Sequence, residues 1–275
     1  MAQNPLQQYF RQPKVFIGLP SLGVYNKPGT FDGDVSNMPI FGMTGMDELI
    51  MKTPDALLSG DSVVKVIASC CPAIKDPWSL ANLDIDTILI GIRVATYGTD
   101  MSLTQVCPHC SAENEYSFDL TKLIDHYRNC KFESKVVLPE LSITLRPLNY
   151  RQATDFSLKN FQIQQRLKQA DALEDAVERR NLLTSLFEEV AELQNEIFLA
   201  GIESVTAGAD VVTERNYIKE WIENCESSVI TTVKEHIGKN QEAWSNALHK
   251  VVCADCDTEF SINVEFDQAS FFARA

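Results

Sequence analysis

Two Cys-x-x-Cys pairs constrain this chain more than any other feature. Val106-Cys107-Pro108-His109-Cys110 and Val252-Cys253-Ala254-Asp255-Cys256 share the preceding valine and are separated by residues 111–252. An alternating apolar run follows each pair in the same phase. Tyr116, Phe118 and Leu120 stand six, eight and ten residues past Cys110. Ile262, Val264 and Phe266 stand at the same offsets past Cys256, with Phe260 at four. Such alternation belongs to a strand with one buried face.

A tight Cys-x-x-Cys turn presents two thiolates to one side of a metal, and a second such turn completes a tetrahedral all-thiolate site. The spacing therefore predicts one structural zinc ion held by Cys107, Cys110, Cys253 and Cys256. Four thiolates leave no open coordination position, so the ion is expected to supply folding energy and not hydrolysis. The long gap is no obstacle, because loop closure costs only about 0.6 kcal/mol per doubling of length. Two other readings stand beside this one: unmetallated turns, or separate sites drawing on His109, His126, His249 or Cys130. Cys-Pro-His-Cys is also the active-site string of a strongly oxidising thioredoxin-fold protein. That chemistry needs a helix N-terminus at the first cysteine, whereas Ser111 to Tyr116 leads here into a strand. The remaining cysteines, Cys70, Cys71, Cys130 and Cys225, have no such partner in sequence, and disulfides do not persist in a reducing cytoplasm.

Of the 275 residues, 45% are hydrophobic and 23% charged, which is the range of a folded globular chain and excludes wholesale disorder. The formal net charge of −14 opposes phosphate backbones and anionic membranes. Nucleic-acid and membrane partners are accordingly not expected. The apolar run Ile88 to Ile92 lies between Asp86 and Arg93, far short of the ~20 residues a spanning helix needs. Met1 to Lys14 lacks a basic-then-apolar leader pattern, so the chain is expected to remain in the cytoplasm that made it.

The segment 1–43 reads as an extended Pro/Gly-rich arm that packs as short strands or lies across a partner. Residues 44–120 read as a helical region leading into the first half of the cysteine site. Thr53-Pro54 opens a helix that stops at Ser59-Gly60, Asp61 opens one that ends at Pro72, and Asp84 to Tyr97 forms a buried helix closed by Gly98. Residues 121–250 read as a hairpin over Val136 to Leu145 followed by helix from Asn149 almost to Asn246. Within it, residues 171–203 carry a net charge of −7, and Leu183, Leu186, Phe187, Val190, Leu193 and Ile197 form one apolar stripe. Two shorter helices are expected from Thr213 and from Ser227 or Ser228, the second closing at Gly238. Residues 251–275 supply the second half of the cysteine site and a C-terminal strand. The expected fold class is α+β, mainly helical: a small four-cysteine zinc ribbon interrupted by a long helical insertion.

No recognisable catalytic string is present: HExxH, GxSxG, GxxxxGK[ST] and GxGxxG are all missing. Ser62-Val-Val-Lys65 matches SxxK without companion motifs, and Asp32 with Asp34, and Asp84 with Asp86, read as turn and cap residues. The chain is not expected to be an enzyme.

An ordered set of short strings remains. Leu19-Pro-Ser-Leu-Gly-Val-Tyr25 is followed by Met43-Thr-Gly-Met-Asp-Glu48 and Leu58-Ser-Gly60. Ile92-Arg93, Tyr97-Gly98 and Cys-Pro-His-Cys come next. This order resembles the baseplate protein family of T-even-type contractile-tailed bacteriophages, whose members are described as baseplate hub subunits or hub-assembly proteins. The likeness runs over residues 15–120 and returns at Cys253 to Cys256, while the acidic insertion carries little of it. The resemblance implies a non-enzymatic phage tail protein acting as the central hub is assembled, docking on other baseplate hub or tail-tube proteins. It would work in the host bacterial cytoplasm during assembly, and either stay in the virion tail baseplate or leave as an assembly chaperone. The other reading is a zinc-ribbon adaptor of transcription or nucleic acid, against which Asp255, Asp257 and Glu259 make a poor phosphate surface. Homo-oligomerisation is left open.

Overall fold

The computed structural model describes residues 4–53, 59–173, 175–244, 249–262 and 272, about half of them helical, with several small sheets. The chain divides into two compact units: residues 1–131 with 244–275, and residues 132–243.

The first unit is built on a helix that is apolar nearly all round. In α3 (Asn82–Tyr97), Ile85, Ile88, Leu89, Ile90, Ile92 and Ala95 are all buried, the pattern of a central helix rather than a surface one. It begins two residues before Asp84, and Gly98 ends it with φ 97°. Against it lies an antiparallel ribbon of β1 (Pro13–Ile17) and β2 (Met38–Phe41), which buries Ile17, Met38 and Ile40. The close approach is made at Gly91, where a Cβ would meet Ile17 and Ile40 side chains at 3.3–3.5 Å. Residues of the N-terminal segment thus contribute to this core. Helix α1 (Gly45–Met51) starts in a capping box in which Thr44 and Asp47 exchange hydrogen bonds. Helix α2 (Asp61–Cys70) starts after Gly60, whose φ of 75° is left-handed. The expected helix start at Thr53-Pro54 lies at the edge of residues 54–58, outside the described residues.

Arg11 ties these pieces together. Its guanidinium donates to the Gly42 carbonyl at 2.6 Å and the Ser69 carbonyl at 2.7 Å, and pairs with buried Asp47 at 3.4 Å. The unit continues through β3 (Asp100–Val106), β4 (Glu113–Asp119) and α4 (Thr121–Asn129), and returns with β9 (His249–Val252) and β10 (Glu259–Ile262). Two further antiparallel hairpins result, β3 with β4 and β9 with β10. Val264 and Phe266 lie outside the described residues.

The second unit has a four-stranded antiparallel sheet in the order β5 (Lys135–Val137), β6 (Leu141–Leu145), β7 (Ile202–Ala207), β8 (Asp210–Val212). The expected hairpin over Val136 to Leu145 is its first half; β7 and β8 break the stretch read as continuous helix. Gly201 ends the preceding helix, and Ile202, Val205, Thr206, Val211 and Val212 then favour extended backbone. Gly208, with φ 60°, makes the turn between them. A core of Val136, Ile143, Leu145, Phe198, Ile202, Val205, Ile218 and Val233 joins this sheet to α7 (Arg215–Asn224) and α8 (Ser227–Ala243). Helix α8 runs past Gly238, where the sequence predicts its end.

Between β6 and β7 stands an antiparallel pair of long helices, α5 (Tyr150–Asp171) and α6 (Ala176–Gly201). A narrow seam of Ile163, Ala170, Leu186 and Leu193 holds the pair together. Ion pairs Lys159–Glu196 and Arg166–Glu189 cross beside it. The expected stripe is only partly covered: Leu186 and Leu193 are buried, whereas Phe187 is 63% exposed. One neighbouring helix covers a narrower arc than the stripe occupies, and Phe187 lies about 100° round the helix from Leu186.

Candidate metal centre

Each Cys-x-x-Cys pair forms the tip of a two-stranded hairpin, and the two tips have the same backbone. Val106 pairs with Glu113 across the first and Val252 with Glu259 across the second. The first cysteine of each donates its N–H to a carbonyl five residues on, Cys107 to Ala112 at 2.9 Å and Cys253 to Thr258 at 3.0 Å. Its own carbonyl accepts from the residue after the second cysteine, Ser111 at 2.9 Å and Asp257 at 3.0 Å. Those two residues have φ 61° and 56°, a left-handed conformation that non-glycine residues adopt at some cost. The repeat seen in the sequence is therefore a repeat of backbone geometry.

The tips bring the four sulfurs together, all within 4.8 Å of one another. Cys107 Sγ lies 3.7 Å from Cys256 Sγ, and Cys110 Sγ lies 3.6 Å from Cys253 Sγ. A tetrahedron with metal–sulfur bonds of about 2.3 Å has edges of about 3.8 Å, so the spacing fits a bound ion of that kind. The second cysteines of the two tips ionise differently. The Thr258 hydroxyl and amide lower Cys256 to about 6. At Cys110 the Ala112 amide acts downward, but desolvation and the three neighbouring thiols outweigh it and push the group up to about 12. A divalent cation at the centre favours the thiolate form of all four.

Asn114 locks the second tip to the first hairpin, and nothing in the sequence marked it. This buried side chain on β4 accepts from the Ala254 N–H at 3.0 Å and donates to Cys253 Sγ at 3.5 Å and Asp255 Oδ2 at 3.3 Å. Its partners are about 140 residues away in the chain, which no local spacing reveals. Tyr116 meets Phe260 edge-on at 6.1 Å, joining the two hairpins by the alternating residues noted in the sequence. Desolvation and the four cysteines raise the Tyr116 phenol, and its hydroxyl has no hydrogen-bond partner among the described residues.

The other candidates fall elsewhere. His109 is exposed within the first tip. His126 and Cys130 approach each other at 3.7 Å at the end of α4, apart from the quartet. Cys70 is buried beside Arg11, and desolvation and Asp47 push it up to about 11. Burial pushes Cys71 up as well. The side chain of His249 lies outside the described residues. Ser62 of the SxxK string donates to the Ile50 carbonyl at 2.9 Å, a helix–helix tie. Asp34 accepts from the Ser36 hydroxyl and N–H in a turn and is held below the usual carboxylate range. Asp84 is buried and accepts from Ser21 N–H at 2.9 Å and Ser21 Oγ at 2.5 Å. It anchors the Leu19–Tyr25 loop as well as standing in the first turn of α3.

Fold and site together define an α+β protein with a helical second unit and a four-cysteine cluster able to hold a metal ion. Residues 44–273 match the family model of the T4 bacteriophage base plate protein, and the chain belongs to that family. It is thus a phage structural protein of the tail baseplate, working among other baseplate proteins. No curated protein and no solved structure gives a significant match. Among the described residues no helix is long and apolar enough to cross a membrane.

Proposed function

We propose that this protein acts in assembly of the baseplate central hub, docking on other hub or tail-tube proteins without catalysing a reaction. Its first unit is held in shape by one structural zinc ion on Cys107, Cys110, Cys253 and Cys256, a closed zinc ribbon interrupted by the second unit. The observation that carries the role is the family match over residues 44–273. The convergence of the four sulfurs within 4.8 Å supports the metal. Zinc suits four thiolates in a tetrahedron, and its binding energy then becomes folding energy of the first unit.

Docking surfaces are suggested by large apolar side chains left in solvent. Tyr9, Phe10 and Phe16 are exposed on the N-terminal segment, and Phe187 on the acidic helix α6. The test is affinity capture of the tagged chain from infected cells, with captured proteins identified by mass spectrometry. The reading expects hub or tail-tube components; a capture that holds none of them, repeated with the tag at the other terminus, would contradict it.

A further inference from the structure

The four thiols of the quartet are not equivalent. In each tip the first cysteine is buried, Cys107 at 1% and Cys253 at 0% exposure. The second is accessible: Cys110 is exposed and Cys256 half-buried. Two sulfur–sulfur approaches cross between the tips, Cys107 to Cys256 at 3.7 Å and Cys110 to Cys253 at 3.6 Å. They use every sulfur once. Each joins the accessible cysteine of one tip to the buried cysteine of the other.

We propose that the quartet is a convertible clamp, which a hydroperoxide changes into two inter-tip disulfides, Cys107–Cys256 and Cys110–Cys253, as the cation leaves. The inference rests on the metal reading only for the released ion; the pairing is argued from the two inter-tip approaches and from the contrast of accessible and buried sulfurs.

The chemistry starts at the accessible sulfur. With hydrogen peroxide, the Cys256 thiolate attacks one peroxide oxygen, the O–O bond breaks, and a sulfenic acid and hydroxide result. The Cys107 thiolate, 3.7 Å away, attacks that sulfur; an S–S bond forms and a second hydroxide leaves. Cys110 and Cys253 repeat the sequence with a second peroxide. Four sulfurs give up four electrons to two O–O bonds, and four protons from solvent convert the four hydroxides to water. The cation, stripped of thiolates, departs as a dication.

An S–S bond is about 2.05 Å long, so each pair must close by about 1.6 Å. The Asn114 amide holds Cys253 toward the first hairpin and so favours the crossing pair. Bridges inside each tip would leave the two hairpins joined only by non-covalent contacts such as Asn114 to Ala254 and Tyr116 to Phe260. The crossing bridges keep residue 107 beside residue 256 wherever cellular reductant is absent.

The full-length chain, purified with its metal, is treated with two equivalents of hydrogen peroxide, alkylated and proteolysed without reduction. Fragmentation mass spectrometry of the linked peptides then assigns the bridges, and a chromogenic chelator follows metal release. The expected result is Cys107–Cys256 with Cys110–Cys253, one metal ion released per chain, and a melting temperature that chelator no longer lowers. Bridges within the tips, the opposite crossing, sulfonic acids without bridges, or no reaction at all would each overturn the clamp. If the starting protein carries no metal yet forms the crossing bridges, the metal reading fails and the clamp stands. If zinc is present and the bridges lie within the tips, the reverse holds.

Discussion

Asp84 carries a carboxylate into an apolar core and is held there by both donors of Ser21. Burial outweighs those hydrogen bonds and pushes the group up to about 6, from 3.8. A carboxyl raised by folding is protonated more readily in the folded than in the unfolded chain. Its stabilising contribution is full below about pH 4 and is lost as pH rises through about 6. Asn at this position keeps the shape, one acceptor and one donor, and cannot ionise. The stability of Asp84→Asn relative to the wild type should therefore improve between about pH 4 and 7, by on the order of 2–3 kcal/mol. Urea titrations of both proteins at several pH values measure this, and a flat difference would count against it. Asn114 invites a different substitution. Asn114→Ala leaves the Ala254 N–H without its side-chain partner, a loss of about 0.5–1.5 kcal/mol. It should also weaken metal retention about 10- to 100-fold, as removal of supporting groups around a metal does. Competition against a chelator of known affinity reads that change; unaltered retention would show that Asn114 does not support the ligands.

At the scale of elements, the helical hairpin of α5 and α6 separates packing from surface. Phe187 is mostly exposed, so Phe187→Ser should leave thermal stability within about 0.5 kcal/mol of wild type. If α6 is a docking surface, the same substitution reduces capture of baseplate partners; a large loss of stability would mean that Phe187 packs within the fold. Gly42 behaves oppositely. A Cβ there would meet the Ala95 carbonyl oxygen at 2.8 Å, so Gly42→Ala should destabilise by about 1–3 kcal/mol, visible as a lowered denaturation midpoint. These elements also show what a sequence can and cannot disclose. The cysteine tips were legible because two Cys-x-x-Cys pairs share a spacing of three residues, a preceding valine and the same phase of apolar residues after them. Helices α2 and α3 were legible from their apolar periodicity and flanking Gly and Asp. The pair β7–β8 was missed because two short β-branched runs were read as a continuation of a 26-residue helix, although Gly201 and Gly208 punctuate them. Asn114 and the Ser21–Asp84 tie were missed for another reason: their partners come from distant parts of the chain, and only the fold brings them together.

For the whole molecule, the second unit interrupts the first in sequence and has its own apolar clusters. Residues 132–243 expressed alone should give a helical circular-dichroism spectrum and a cooperative melt, since their core needs no ligand from outside; a disordered fragment would contradict that. The first unit is different, because its terminal portion is joined to the middle of the chain by four sulfurs. The central claim is that a shared cation makes that junction. Native mass spectrometry of the purified full-length chain, read beside its thermal melt with and without chelator, tests it most directly. The account predicts one zinc ion per chain, absent in Cys256→Ser, and a melting temperature that falls on chelation for the wild type alone. A chain that carries no ion, or a Cys256→Ser variant that melts as the wild type does, would contradict it.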